Sequence, residues 1–306
     1  MVTRIKIIFA LGLISALAGL LSPVRADPLP AIAVIDTGVN TALFSNIVTE
    51  ACFLEFSNCP NGKKSMEGAG AANTGVVTNT ALTHGHEMLS VINQVNPGVG
   101  LIPIRIVGIT PNGLPYLYTN NAVKSSLDWV LANYAKYNIV AVNVSVGKIF
   151  KGCGVPSGTA EVVAALKAAN VAVIAATGND GSRTEINSIA CLPDVVSVGA
   201  TDNPDPGITG KTWDPKAKPY IARYSNGNNQ VSFYTNARWI VGLTNGKTKF
   251  MAGSSNASAA LSAWWVINRK PSWKETYDGL MASSTIASNQ WLTGKYIFIT
   301  KKGENL

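Results

Sequence analysis

Ser255 lies in Phe250-Met251-Ala252-Gly253-Ser254-Ser255-Asn256-Ala257-Ser258, and two other short segments hold what a serine needs to react. One is Ala33-Val34-Ile35-Asp36-Thr37-Gly38; the other is Thr83-His84-Gly85-His86-Glu87-Met88. A serine hydroxyl is a weak nucleophile at neutral pH. It needs a neutral imidazole to take its proton and an anion to fix that imidazole's tautomer. His84 and His86 are the two histidines of the chain, so the base is one of them. Asp36, one histidine and Ser255 (or its neighbour Ser254) therefore form a candidate acyl-transfer centre in the order Asp, His, Ser.

Other chemistries fit these residues less well. Asp-Thr-Gly also occurs in aspartic peptidases, which need two carboxylates sharing a proton, and no second Asp-Thr-Gly or Asp-Ser-Gly exists. A zinc peptidase helix beginning at His86-Glu87 needs a histidine at position 90, which is Ser90. An α/β-hydrolase esterase would want Gly-x-Ser-x-Gly and the order Ser, Asp, His; neither occurs.

The elements that must position these groups read as alternating strands and helices. Strands are expected at 32–35, 101–107, 139–144, 171–176 and 195–200, as short, nearly continuous apolar runs. Helices are expected from His84 to Val95, across Val123, Leu127, Val130, Leu131 and Tyr134, and across Val162, Val163, Leu166 and Ala169. The spans Asn61 to Thr83 and Asn203 to Ile221 read as polar loops, and no internal repeat is present. This β-α-β alternation predicts an α/β fold, a mostly parallel central sheet with helices on both faces. Asp36 and Asn179 then follow the carboxyl ends of strands, the edge where open α/β sheets bind ligands. His84 and Ser255 each open a helix, the second running to about Asn268. A helix N-terminus suits an oxyanion forming beside Ser255.

The four segments, including Val173-Ile174-Ala175-Ala176-Thr177-Gly178-Asn179-Asp180-Gly181, together resemble the subtilisin-like serine peptidases from about Ala31 to Met281. The family's Gly-Thr-Ser-x-Ala places Ser255 at the nucleophile, with Ser254 standing for the threonine. Its His-Gly-Thr-x-Val-Ala-Gly places His84 rather than His86 at the base. The resemblance implies a subtilisin-like fold and peptide-bond hydrolysis through an acyl-enzyme. Asp36 would orient the imidazole, and Asn179 would donate its side-chain N–H to the oxyanion. It also implies that Ser145, Val146 and Gly147 pair with an extended peptide. The side chain before the scissile bond would lie between them and Ala176, Thr177 and Gly178. Those small, neutral walls favour an apolar residue there, over a floor in Asn187 to Cys191. The chain departs from the family pattern at Ala259, where proline is usual, and at Asn236-Ala237, where Pro-Gly is usual. The resemblance requires no cofactor. Some members bind structural calcium, but no acidic cluster here declares a metal site. The rival reading is an inactive subtilase fold used as a secreted binding protein.

Composition sets the compartment. The chain has 306 residues, enough for one large domain. Arg4 and Lys6 precede an apolar run from Ile7 to Leu21, and Val24-Arg25-Ala26 offers a cleavage site. Residues 1–26 thus read as a secretory signal peptide and residues 27–306 as the peptidase domain, secreted or periplasmic, with no membrane association after cleavage. Only Asp27 to Pro30 would then precede the first strand, so no inhibitory propeptide is expected. The formal charge of +8 includes Arg4, Lys6 and Arg25 and falls to +5 once residues 1–26 are removed. Lys211, Lys216, Lys218 and Arg223 form a loose group without interleaved aromatics, so no nucleic-acid partner is expected. Protein or peptide substrates are. Four cysteines in an exported chain predict two disulfides. Of three possible connectivities, Cys52–Cys59 with Cys153–Cys191 is favoured, because the latter two flank the presumed substrate cleft. Asn143-Val144-Ser145 and Asn256-Ala257-Ser258 are glycosylation sequons that are not expected to be used.

Overall fold

A computed structural model describes residues 28–77, 82–109, 112, 119–202 and 219–303. The expected signal peptide and Lys211, Lys216 and Lys218 lie outside these residues.

Strand β1 (Ala31–Asp36) is buried at every position, because both of its faces are covered. Ile32 and Val34 point into one core and Ala31, Ala33 and Ile35 into the other. The same alternation recurs in β6 (Ala172–Ala176) and, in β5 (Ile139–Val144), from Ala141 onward. A strand buried on both sides must be apolar throughout, which is why these segments read as unbroken runs. The first face is covered by α1 (His84–Val95) and α4 (Ser254–Ile267), the second by α2 (Asn120–Asn133) and α3 (Thr159–Ala168).

The remaining strands are β2 (Ala51–Phe53), β3 (Ser65–Glu67), β4 (Gly100–Arg105), β7 (Val196–Asp202), β8 (Tyr220–Ile221), β9 (Phe233–Asn236), β12 (Thr285–Ser288) and β13 (Thr293–Ile297). They join β1, β5 and β6 in one sheet of order β3-β2-β4-β1-β5-β6-β7-β8-β12-β13-β9. β1 lies between β4 and β5, parallel to both, and β5, β6 and β7 continue the parallel run. β7 also pairs in parallel with β9, while β2–β3, β7–β8 and β12–β13 are antiparallel. The fold is therefore α/β with a largely parallel centre. β3 lies inside the span Asn61 to Thr83 that reads as loop. Its three residues alternate exposed and half-buried, too short a pattern to register as a strand.

Two elements aim the chemistry. A separate hairpin, β10 (Arg238–Gly242) and β11 (Thr248–Ala252), delivers the chain to Gly253 and the start of α4. Helix α4 is buried nearly all round, and Ala257, Ala259, Ala260, Leu261, Ala263 and Trp265 are fully buried. Small residues let it lie close on the sheet. The last helix, α5 (Trp273–Ser283), opens with a Ser272–Glu275 capping box and packs Tyr277 against Phe233.

Candidate active site

Asp36 ends β1 with its side chain fully buried. Its carboxylate takes the Thr37 N–H at 2.7 Å and faces His84 Nδ1 at 2.8 and 2.9 Å from its two oxygens. Thr37 holds the pair in register, since its hydroxyl accepts the Gly85 N–H at 2.7 Å. This approach explains the glycine after His84. A Cβ on Gly85 would fall 2.6 Å from the Thr37 carbonyl oxygen, so any side chain there would push α1 off β1 and part the imidazole from its carboxylate.

His84 keeps about a quarter of its side chain open, 23 %. Burial works against its charged form. The Asp36 carboxylate, by charge and by hydrogen bond, outweighs that and raises the pKa above the usual 6.5. Glu87 adds to the rise and Lys249 opposes it. Those two are themselves an ion pair at 2.7 Å, and Glu87 also accepts from Thr83 Oγ1 at 2.6 Å. His86 points elsewhere, edge-on to Phe44 with ring centroids 4.9 Å apart. Burial pushes its pKa down to about 4. Its Nδ1 has no hydrogen-bond partner.

Ser255 is the second residue of α4. Its hydroxyl donates to the Ser145 carbonyl at 3.1 Å. Its N–H has no backbone partner, as expected for the first turn of a helix, and is available to an anion. Asn179 stands exposed in the loop after β6, and its Oδ1 accepts the Ser254 N–H at 2.9 Å. That bond occupies the oxygen end of the amide and leaves Nδ2 as a donor. Ser254 Oγ in turn accepts the Gly178 N–H at 3.1 Å, so Ser254 clamps the Asn179 loop.

Sequence reasoning missed two supports. Asn226 is fully buried. Its Oδ1 accepts the N–H groups of Asp180 and Ser182 at 2.9 and 3.0 Å, and its Nδ2 donates to Thr177 O and Asp180 Oδ2 at 3.0 and 2.9 Å. It thus holds the loop that presents Asn179, from 46 positions away in sequence, and no local pattern marks it. The second support is a polar seam under Ser255. Ser145 Oγ meets Ser258 Oγ at 2.8 Å and the Ser255 carbonyl at 3.1 Å, and the Asn143 side chain bridges Ser145, Ser258 and Ser262. A signal for this existed: Ser255, Ser258 and Ser262 recur on one face of a helix whose residues beyond Asn256 are otherwise apolar.

The two segments expected to wall the cleft follow the ends of β5 and β6. β5 ends at Val144, and Ser145, Val146 and Gly147 continue beyond it, with Ser145 buried in the seam. Opposite them, Ala176 ends β6, while Thr177 binds the Val198 carbonyl through its N–H and the Asn226 carbonyl through its hydroxyl. Cys52 is bonded to Cys59 and Cys153 to Cys191. The asparagines of both sequons, Asn143 and Asn256, are fully buried. Among the described residues no group of three or more His, Cys, Asp or Glu could hold a metal ion, and no helix is long and apolar enough to cross a membrane.

Solved structures share this architecture. A cold adapted subtilisin-like serine proteinase superposes with a TM-score of 0.61 at 19 % identity, covering 89 % of each chain. A mutant of the protease domain of PatA gives 0.64 at 15 % identity, over 84 % of this chain and 87 % of that one. The prenylagaramide maturation protease PagA gives 0.59 at 20 % identity, over 86 % of each. At these identities the likeness is one of fold. The sequence itself matches the profile of the Subtilase family over residues 29–287, which takes in Asp36, His84, Asn179 and Ser255; this chain belongs to the subtilase family.

Proposed function

We propose that the protein is a secreted serine endopeptidase in which Ser255 attacks the scissile carbonyl. His84 takes the hydroxyl proton at Nε2 and later gives it to the leaving amine. Asp36 keeps Nδ1 protonated and stabilises the imidazolium. Asn179 Nδ2 and the Ser255 N–H receive the oxyanion. The observation that carries this reading is the Asp36–His84 pair, buried on the carboxylate side and partly open on the imidazole side. An imidazole held that way by a carboxylate has its remaining nitrogen directed outward as a base. Substrates are proteins or peptides laid along Ser145 to Gly147. Export is supported by the Arg4–Ala26 pattern and by two disulfides, which persist in oxidising compartments.

The rival is a subtilase fold without turnover, serving as a binding protein. Its support is the Ser255 hydroxyl, which donates to Ser145 and must rotate before it can give its proton to His84. An activity-based phosphonate decides between the two. Covalent labelling of the purified protein, lost in Ser255→Ala and in His84→Ala, is the expected result. No labelling of correctly folded protein would leave the binding reading.

A further inference from the structure

Gly147 and Gly178 lie on the two segments expected to wall the slot for the side chain before the scissile bond, and Asn187 packs against both. A Cβ built on Gly147 would fall 2.7 Å from Asn187 Cβ and 2.8 Å from its Nδ2. A Cβ on Gly178 would meet Asn226 Nδ2 first, and would fall 2.6 Å from Asn187 Oδ1 and 2.9 Å from its Cγ. The carboxamide therefore spans the slot from wall to wall. Asn187 is only 5 % exposed.

Its backbone is pinned to both walls. The Asn187 N–H donates to the Thr177 carbonyl at 2.9 Å, and the next residue, Ser188, donates to the Lys148 carbonyl at 3.0 Å. The Asn187 carbonyl accepts from Cys191, which the disulfide ties to Cys153. Retreat of the side chain by backbone movement would break these bonds together.

The amide is not satisfied by the fold. Asn187 Oδ1 is buried with no hydrogen-bond partner. Asn226, by contrast, pairs both ends of its amide within the fold. Asn187 spends an acceptor in the slot without a return in hydrogen bonding.

We propose that Asn187 is a specificity-determining residue that plugs the slot, so that the protein accepts only Gly, Ala or Ser immediately before the scissile bond. This rests on the peptidase reading and replaces the expectation of a general apolar preference. The glycine walls are open in composition, but the space between them is already taken. A leucine or phenylalanine side chain meets the Asn187 carboxamide.

Two measurements test this separately from turnover. In the first, wild-type protein and Asn187→Ala digest a proteome-derived peptide library, and mass spectrometry reads the new C-termini. Wild type is expected to leave Gly, Ala and Ser termini about tenfold or more over Leu and Phe, the scale on which a pocket rejects an oversized apolar group. Asn187→Ala is expected to admit Leu and Phe. Wild-type termini dominated by Leu, Phe or Met overturn the proposal, even if the Asn187 variant fails to fold. In the second, Ser255→Ala protein, which needs no chemistry, is titrated with pools of N-acetyl tetrapeptides ending in Ala or in Phe. The Ala pool is expected to bind about tenfold tighter, and adding Asn187→Ala is expected to erase the difference. Equal binding of the two pools, or of neither, overturns the proposal. Discriminating pools with no library cleavage would instead sink the peptidase reading and leave the slot assignment standing.

Discussion

The Ser255 hydroxyl donates to the Ser145 carbonyl, 3.1 Å away, and Ser145 returns a hydrogen bond from its own hydroxyl to the Ser255 carbonyl at the same distance. Ser255, the proposed nucleophile, is thus tied at both ends to the segment expected to bind substrate. A peptide pairing with Ser145 to Gly147 would compete for that carbonyl and free the hydroxyl to turn to His84.

Ser255→Ala is expected to abolish peptide hydrolysis while leaving the melting temperature within a few degrees, because only one hydrogen bond is lost. Ser254→Ala is expected to retain activity at a reduced kcat, because Ser254 Oγ holds the Gly178 N–H and not a reacting atom. Activity assays paired with thermal melts check both. A dead Ser254→Ala beside an active Ser255→Ala would move the nucleophile by one residue.

Activity should fall on the acid side with an apparent pKa above 6.5. His84 must be neutral to act as a base, and Asp36 raises its pKa. The limb is read from kcat/KM against pH; a midpoint below 6.5 would contradict the Asp36–His84 coupling. His84→Ala is expected to be inactive.

His86→Gln is expected to stay active and to change the pH dependence of stability instead. The folded chain binds a proton at His86 only near pH 4, the unfolded chain near 6.5. Below 6.5 the unfolded state therefore takes up more protons. The stability that neutral His86 confers is complete above 6.5 and is lost as pH falls toward 4, by about 3 kcal/mol. His84 has the opposite sign: its contribution is full below 6.5 and fades as pH rises through its elevated pKa. Urea denaturation from pH 4 to 7 should show the acid-side loss in wild type and a flatter curve in His86→Gln.

Asn179→Ala is expected to lower kcat by roughly 10²–10³, the cost of one oxyanion donor in subtilisin, with little change in KM. Asn226→Ala touches no reacting atom. It should still lower kcat, by less, and also cost about 1–3 kcal/mol of stability by stranding the buried groups it now pairs. Unchanged kcat in a destabilised Asn226→Ala would show that the loop holds Asn179 without it.

Intact mass of the exported protein is expected to match residues 27–306 less four hydrogens, with no cysteine labelled by iodoacetamide before reduction. Replacing Cys153 and Cys191 together by serine should cost roughly 4 kcal/mol by loop entropy, given their separation of 38 residues.

The sequence by itself determined the buried half of the protein. β1, β5 and β6 are covered on both faces, so their composition alone marks them, and α1 begins and ends where its apolar spacing does. Asp36, His84 and Ser255 were legible because each stands at the end of such an element, in a short segment of its own. The hairpin β10–β11 was not legible. β11 has no buried position and β10 only two, and their placement is set by contacts with α1, such as Gln94 Nε2 on the Ile240 carbonyl at 3.0 Å. Asn187 and Asn226 are ordinary polar residues in polar stretches. Only tertiary structure decided that one would lie between two glycines and the other beneath the Asn179 loop. What fixes them is long-range packing and the need to satisfy buried hydrogen bonds, and neither leaves a local pattern in the chain.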